Sequence, residues 1–233
     1  MRSDGRNINE TRKIKITTEY TKYAEGSVLI EMGGTKVLCN ATVEDKVPPH
    51  VMNTGAGWIT AEYSMLPRAT DSRNPRDIQK LKLSPRSAEI QRLVGRALRS
   101  AVDLKDLGER SIIIDCDVIQ ADGGTRCASI TGGYVALTLA INKLLKTKVI
   151  DKNPIIKQVA AISVGKLDGK ILCDLCYEED SAAEVDMNVI MTSRGEYIEL
   201  QGTGEEAVFT DGDLNALLKS AKKGLKKLFR AQN

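Results

Sequence analysis

Three pairs of strand-like segments joined by short turns limit most strongly how this chain can fold. The segments are rich in β-branched and apolar residues and the turns contain glycine, a combination that predicts antiparallel hairpins. The pairs are residues 28–31 with 36–43, 159–167 with 170–175, and 187–191 with 196–200. Because the later pairs repeat the form of the first, the pattern predicts a strand-rich molecule with an internal duplication.

Helical signals close each strand-rich half. Ser84 and Pro85 supply an N-cap and a first helical residue, and apolar residues at helical spacing continue to Ala101. Three further elements are predicted: a buried strand at 112–119, an apolar helix from about residue 127, and a last helix at about 211–230. We therefore predict an α+β fold that forms a single domain over residues 1–233.

The stretch between residues 44 and 84 differs from its surroundings. It is polar and contains several Pro and Gly residues, so we predict an extended loop or arm there rather than core. Residues 68–99, which overlap it, contain nine Lys or Arg and three acidic residues, a local charge of +6 on a chain whose formal net charge is +3. A basic cluster on a nearly neutral protein predicts a focused anionic ligand.

The composition favours a soluble cytoplasmic enzyme. The 42% apolar fraction suffices for one sizeable core. No uninterrupted apolar run approaches the ~18 residues of a membrane span, and the polar first residues do not form a secretory signal. The five cysteines lack the spacing of a disulfide framework. Cys173 and Cys176 are predicted to lie on one strand with opposite orientations, as thiols without a metal role.

Two positions have the residue types of an anion site. After the predicted strand 112–119, Gly124 lets the backbone approach a ligand, Thr125 adds a hydroxyl, and Arg126 adds a fork suited to phosphate oxygens at a helix amino end. Arg86 lies in the first turn of the other predicted helix, with the same geometry. The alternatives are an ordinary strand-to-helix turn and a solvated surface arginine, and the lysine and spacing of a nucleotide P-loop are missing.

An acidic stretch without Lys or Arg extends from Cys173 to Asn188. Within it, Asp180 is predicted in the turn after one strand and Asp186 immediately before the next. Carboxylates that flank a loop in this way can converge on one Mg²⁺, which keeps several waters and takes few protein ligands. The alternative is an acidic loop that is simply solvated.

Taken together, these segments resemble the bacterial ribonuclease PH family across most of residues 2–210. The matching strings, in chain order, are DGR near residue 4, AEGSVLIEMGGTKVLC, GWITAEYSMLPRAT, SRNPR, EIQRLVGRALRSAVDL, IDCDVIQADGGTRCASITGGYVAL, CDLCYEEDSAAEVDMNVIMT and LQGTGE. The resemblance implies two β-α-β-type halves, like the second domain of a small ribosomal protein. It also implies a homo-oligomer, a hexameric ring built from dimers.

The resemblance also implies roles for individual residues. By position, the phosphate site comprises Arg86, Gly124, Thr125 and Arg126, the carboxylates that place a divalent ion, Mg²⁺ or Mn²⁺, are Asp180 and Asp186, and the arginines that contact tRNA are Arg68, Arg73 and Arg76. Catalysis would then fall to Asp180, Asp186 and Arg126. Asp71 departs from the family, since relatives usually carry a histidine there, and it places a negative charge among the tRNA-contacting arginines.

The implied activity is phosphorolysis, with inorganic phosphate as co-substrate. A member of this family removes nucleotides from the 3′ ends of tRNA precursors and other RNAs, including rRNA, as nucleoside 5′-diphosphates, and the reaction is reversible. Neither DNA nor a membrane is an expected partner. Two alternatives remain: a catalytic ring subunit of an archaeal exosome, and a catalytically silent ring subunit that only binds RNA. The string MLPRAT favours the bacterial enzyme over the archaeal subunit.

Overall fold

The computed structural model describes residue 2, residues 4–204 and residues 207–233, which form an α+β fold. Nine strands are described: β1 (Ile14–Thr18), β2 (Gly26–Met32), β3 (Thr35–Glu44), β4 (Trp58–Met65), β5 (Ser111–Gln120), β6 (Val159–Leu167), β7 (Lys170–Cys173), β8 (Val185–Thr192) and β9 (Tyr197–Gly204). The helices are α1 (Pro85–Arg99), α2 (Leu104–Leu107), α3 (Thr125–Lys146), α4 (Tyr177–Ser181) and α5 (Asp211–Ala231), with a 3-10 helix at Asp77–Lys80.

Two sheets, one in each half of the chain, carry these elements. The first has the strand order β1-β2-β3-β5-β4, and the second has the order β7-β6-β8-β9. All neighbouring strands are antiparallel except β4 and β5, which are parallel. The three predicted hairpins are confirmed as β2–β3, β6–β7 and β8–β9.

The helix α3 joins the two halves. It packs on β2 and β3 of the first sheet and on β6 of the second, while α1 packs on β4 and α5 covers the outer face of the second sheet. Gly132 allows the close approach to β2, because a Cβ there would lie 2.6 Å from Ile30 Cγ2. By length and composition α3 could cross a membrane, but 72% of its apolar window is buried inside the protein, so it serves as the core helix.

The prediction of an extended arm over 44–84 is wrong for Trp58–Met65, which is strand β4. Ile59, Ala61 and Tyr63 alternate into the core, but the strand is short and pairs with β5, more than 40 residues away. On either side of β4 the chain contains no strand or α-helix, as predicted: residues 45–57 form a loop before it, and the arm lies between β4 and α1.

Two local boundaries also differ from the prediction. The strand β7 ends at Cys173, because Asp174 adopts a left-handed backbone conformation with φ of 57°. Cys176 is consequently not part of a strand and serves as the N-cap of α4. Helix α3 begins at Thr125, earlier than predicted, because Gly124 turns the chain with φ of 65°. The predicted helix start at Ser84 and Pro85 is confirmed, since Ser84 Oγ accepts a hydrogen bond from Ser87 N at 3.0 Å.

Candidate active site at the amino end of helix α3

The turn between β5 and α3 presents backbone amides without a side-chain cap. Gly123 and Gly124 have φ of 73° and 65°, a region that side chains with a Cβ rarely adopt. A Cβ on Gly123 would also lie 2.7 Å from the carbonyl carbon of Cys176, so the start of α4 packs directly against this turn. Gly124 is the N-cap of α3 and has no side chain with which to accept from the first amides. Those amides and the helix dipole make this turn a candidate anion site.

The first two residues of α3 are held by three different elements. Thr125 Oγ1 is buried and lies 2.8 Å from Tyr63 Oη on β4. Arg126 Nη1 donates to Gln201 Oε1 on β9 at 2.9 Å and to Glu89 Oε1 on α1 at 3.3 Å. The guanidinium of Arg126 is therefore oriented between α1 and the second sheet, beside the free amides of α3.

Arg86 lies in the first turn of α1 and is exposed. Burial raises the pKa of the Tyr63 phenol, while its hydrogen bond with Thr125 and the positive charges of Arg86 and Arg126 act in the opposite direction. Both arginines are thus close enough to the same phenol for their charges to act on it. The charges of Arg86 and Arg126, which are 40 positions apart in sequence, therefore act on the same phenol, whose hydroxyl contacts Thr125 at the amino end of α3.

The two predicted metal-site carboxylates lie on successive elements of the second half. Asp180 belongs to α4, and Asp186 is the second residue of β8, where it pairs with Gly165 and Thr203. Burial raises the pKa of the Cys127 thiol, in the first turn of α3, to about 12, and the charge of Asp180 adds to that effect. The carboxylate of Asp180 is therefore near the start of α3.

Strand alternation places Asp186 on the same side of the sheet as Asn188. Asn188 in turn contacts α3, since its Oδ1 lies 3.2 Å from the thiol of Cys127. Both carboxylates are thus on the side of the second half that faces the phosphate turn.

The donor set fits a divalent ion that is shared with a substrate. Within the described residues no group of three or more His, Cys, Asp and Glu side chains forms a metal cluster, and the described chain offers instead the pair Asp180 and Asp186. Mg²⁺ commonly takes one or two carboxylates and completes its shell with water and substrate phosphates. Two acidic side chains next to an anion site match that requirement, whereas Zn²⁺ in a structural site would need four protein ligands.

The predicted tRNA-contacting arginines are on the arm and not at the anion site. Arg68, Arg73 and Arg76 are all exposed. The start of the arm is fixed to the first sheet and to the turn before α3, because Leu66 N donates to Val118 O at 3.0 Å and Ala121 N donates to Ala69 O at 2.8 Å. The arm therefore extends into solvent from the edge of the candidate site.

Sequence reasoning missed several groups that support the site. Glu89 and Gln201 orient Arg126, Tyr63 supports Thr125, and Arg12 contacts the phosphate turn from the amino-terminal segment. None of these contacts has a local signal, because each partner is more than 35 residues away in sequence. The alternation of buried residues in β4 was the one pattern that could have located Tyr63.

Two family models and a close relative match this chain. Residues 10–141 match the model for the 3′ exoribonuclease family, domain 1, and residues 157–224 match domain 2 of the same family. The chain is 61% identical to the ribonuclease PH of Bacillus pumilus (strain SAFR-032), over 100% of this chain and 96% of that protein.

Two solved structures share the fold at low sequence identity. The Archaeoglobus fulgidus exosome with RNA bound to its active site has a TM-score of 0.82 at 22% identity, and the alignment covers 100% of this chain and 92% of that one. Rice (Oryza sativa) Rrp46 has a TM-score of 0.79 at 19% identity, covering 99% and 98%.

Proposed function

We propose that this protein acts on the 3′ ends of tRNA precursors. The chain belongs to the 3′ exoribonuclease family of ribonuclease PH, and on that ground it is a phosphate-dependent 3′-to-5′ exoribonuclease. The observation that carries the mechanism is the convergence of two arginines, a buried threonine hydroxyl and free helix amides on one anion site. Such a site binds inorganic phosphate, the nucleophile of the reaction.

Phosphate bound at the amino end of α3 attacks the phosphorus of the last internucleotide linkage. A bond forms between an oxygen of hydrogenphosphate and that phosphorus, and the bond to the 3′ oxygen of the preceding nucleotide breaks. The proton that hydrogenphosphate loses passes to the leaving oxygen, which becomes the new 3′ hydroxyl. The products are a nucleoside 5′-diphosphate and an RNA that is one residue shorter. Arg126, Thr125 and Arg86 hold phosphate in line with the scissile bond, so positioning and charge neutralisation supply most of the catalysis. Because one phosphate linkage replaces another, the reaction is also reversible.

Asp180 and Asp186 are the residues that would hold a divalent ion, Mg²⁺ or Mn²⁺. An ion held there would supply positive charge against the reacting phosphates and the leaving 3′ oxygen. The carboxylates of Asp180 and Asp186 are negatively charged and lie next to the phosphate site. A cation is therefore favoured between these carboxylates and the bound phosphate. No titratable base is required, because phosphate is already ionised at neutral pH.

The substrate and the assembly belong to the same proposal. Arg68, Arg73 and Arg76 are exposed on the arm, where guanidinium groups can reach the phosphate backbone of a folded RNA beyond the 3′ end. We propose a homo-oligomeric, hexameric ring of three dimers in the cytoplasm. The structural neighbours include an archaeal exosome core, and that likeness supports a ring-type fold without fixing the number of subunits.

The two alternatives fit less well. An archaeal-exosome-type subunit is disfavoured because the identity to the archaeal structure is 22%, against 61% to the bacterial enzyme. A catalytically silent subunit would have no need to keep the phosphate site and the paired carboxylates. Arg126, Asp180 and Asp186 are all present here, although each lies inside a regular element and not in the turn or strand flank predicted for it: Arg126 in α3, Asp180 in α4 and Asp186 in β8.

The proposed function is tested with a tRNA precursor that carries a 3′ tail, incubated with Mg²⁺ in the presence and absence of phosphate. We expect release of nucleoside 5′-diphosphates that depends on phosphate and stops near the mature 3′ end. An unstructured RNA of equal length and the matching DNA serve as controls for the substrate class. Release of nucleoside monophosphates without phosphate would instead identify a hydrolase.

A further inference from the structure

A buried arginine connects the phosphate turn with the segment that leads to Asp180. Arg12 lies before β1 and is only 5% exposed. Its backbone N donates to Asp174 Oδ2 at 2.7 Å, its Nε donates to the same oxygen at 3.2 Å, and its Nη2 donates to Asp174 Oδ1 at 2.7 Å. Both carboxylate oxygens of Asp174 are thus held by one residue, which fixes the orientation of that carboxylate.

The same guanidinium also holds the turn before α3. Arg12 Nη1 donates to the carbonyl oxygen of Asp122 and to that of Gly123, the latter at 3.4 Å. The side chain passes so close to the turn that a Cβ on Gly124 would lie 3.0 Å from Arg12 Nη2. Arg12 is therefore a bridge between the anion site and Asp174, two segments about 50 residues apart in sequence.

Asp174 is the residue at which the chain leaves β7 and turns towards α4. Its left-handed backbone, with φ of 57°, is fixed by a hydrogen bond from Asp174 N to Ser163 O at 2.8 Å. Its carbonyl oxygen accepts from Arg2 Nη2 at 2.8 Å and from Arg6 Nη1 at 2.9 Å. Because Asp174 begins the segment that leads into α4, its position helps to determine where α4 starts and therefore where Asp180 lies.

Stability alone gives a weak reason for such a pair. Removing two charges from water costs energy that their mutual attraction often fails to recover, and well-packed apolar replacements are frequently neutral or stabilising. Burial lowers the pKa of the Arg12 guanidinium, while the charge and hydrogen bonds of Asp174 raise it above its ordinary value, so the guanidinium stays charged. The geometric consequence is a rigid connection between two parts of the active site.

We propose that Arg12 is a positioning residue that sets the distance between the phosphate turn and the α4 segment carrying Asp180, so that phosphate and the divalent ion bind in register. This inference rests on the proposed function and deepens it. Arg12 contacts neither substrate nor ion in this scheme. Its role is to place the two groups that do, through Asp122, Gly123 and Asp174.

The structure supplies two residues that each hold one side of the bridge. Thr35 Oγ1 donates to Gly123 O at 2.6 Å and accepts from Asp122 N at 2.9 Å, so Thr35 holds the phosphate turn. Arg2 donates through Nε to Glu179 Oε1 at 2.6 Å and through Nη1 to Cys173 O at 2.7 Å, so Arg2 holds the α4 segment. Both are buried, as Arg12 is.

The test compares Arg12→Lys with the controls Thr35→Val and Arg2→Lys in the full-length protein. Phosphate affinity is measured as the phosphate KM and, independently of turnover, from the shift in thermal unfolding that phosphate produces. Ion affinity is measured as Mn²⁺ binding by electron paramagnetic resonance. RNA affinity is measured with a tailed tRNA in the absence of phosphate.

We expect Arg12→Lys to weaken both phosphate and Mn²⁺ binding by about tenfold, the lower end of the loss expected when a residue that orients ligand-binding groups is replaced. Thr35→Val should weaken phosphate only, and Arg2→Lys should weaken Mn²⁺ only, while RNA affinity is unchanged in all three. Should Arg12→Lys fail to fold, Asp174→Asn is the second variant: it keeps the side-chain volume, replaces one oxygen that accepts from Arg12 with an amide that cannot accept, and is expected to give the same double effect.

Unchanged phosphate and Mn²⁺ affinities in folded Arg12→Lys would overturn the inference. Equal losses of both phosphate and Mn²⁺ affinity in all three variants would also overturn it, since they would indicate a general loosening of the fold. The proposed function fails separately, if the wild-type protein releases no nucleoside diphosphate from RNA when phosphate is added.

Discussion

The hydroxyl of Tyr63 lies 2.8 Å from the hydroxyl of Thr125, and the two residues are buried together at the amino end of α3, the candidate phosphate site. Tyr63 comes from β4, at the edge of the first sheet, and Thr125 is the first residue of α3. The contact fixes the side-chain rotamer of Thr125 and thereby the direction in which its hydroxyl points. The strand that sequence reasoning missed is therefore part of the support of the active site.

Tyr63→Phe should weaken phosphate use without affecting RNA binding. The substitution leaves the Thr125 hydroxyl without this buried partner, a loss of about 1 kcal/mol, or roughly a three- to tenfold rise in the phosphate KM. Steady-state kinetics with phosphate varied at saturating RNA measures the effect. An equal rise in the RNA KM would contradict a role limited to the phosphate site. The matched control is Tyr134→Phe, since Tyr134 is also a buried tyrosine but lies on α3.

Arg126→Ala should abolish phosphorolysis while leaving the protein folded. The side chain is at the surface of the site, 21% exposed, and its partners Glu89 and Gln201 also contact each other, so its removal leaves no isolated buried charge. Each charge-assisted hydrogen bond to phosphate is worth about 1.5–3 kcal/mol, and a bidentate fork makes two such bonds.

Arg126→Lys is the control for charge without the fork, and it should recover only part of the activity. Circular dichroism and thermal unfolding establish that both variants are folded. Near-normal turnover of Arg126→Ala at saturating phosphate would rule out the assigned role.

Asp180→Asn and Asp186→Asn should each lower turnover far more than RNA affinity. The amide keeps the size of the side chain but removes the charge that holds a divalent ion, whereas the RNA is expected to bind mainly through the arm. Single-turnover rates at several Mn²⁺ concentrations, together with equilibrium RNA binding, separate the two effects. Asp168→Asn, an exposed carboxylate in the β6–β7 turn, is the control. Loss of RNA binding with normal turnover of the bound RNA would show the assignment to be wrong.

Features governed by neighbours in sequence were predictable, and those governed by distant partners were not. The start of α1 was predicted correctly because Ser84 and Pro85 determine it locally. The turn before α3 was recognisable because its two glycines are adjacent. The link between Arg12 and Asp174 spans 162 positions, so no local pattern reveals it. The function was predicted from the resemblance of whole sequence strings to a family. Such strings contain the residues that make distant contacts, but they do not show which residues are partners.

The arginines of the arm should control tRNA affinity and not the chemistry. Arg68, Arg73 and Arg76 are exposed, and no ion pair with an acidic side chain holds any of them within the described residues. Replacing one with Ala removes its interaction with an RNA phosphate, which should reduce the salt dependence of tRNA binding by about 0.7–0.9 in the log–log slope. Phosphorolysis of a very short oligonucleotide, which does not reach the arm, should barely change.

Asp71 provides the opposite change on the same segment. It is exposed among these arginines and repels a phosphate backbone, so Asp71→Asn should tighten tRNA binding while the rate on the short oligonucleotide stays the same. The competing explanation is that the arginines hold subunits together, and sedimentation of the triple Arg→Ala variant distinguishes the two. An assembly of wild-type size with weak tRNA binding supports an RNA-binding arm. Dissociation into smaller species, with unchanged tRNA affinity for the assembly that remains, would assign the arginines to a subunit interface instead.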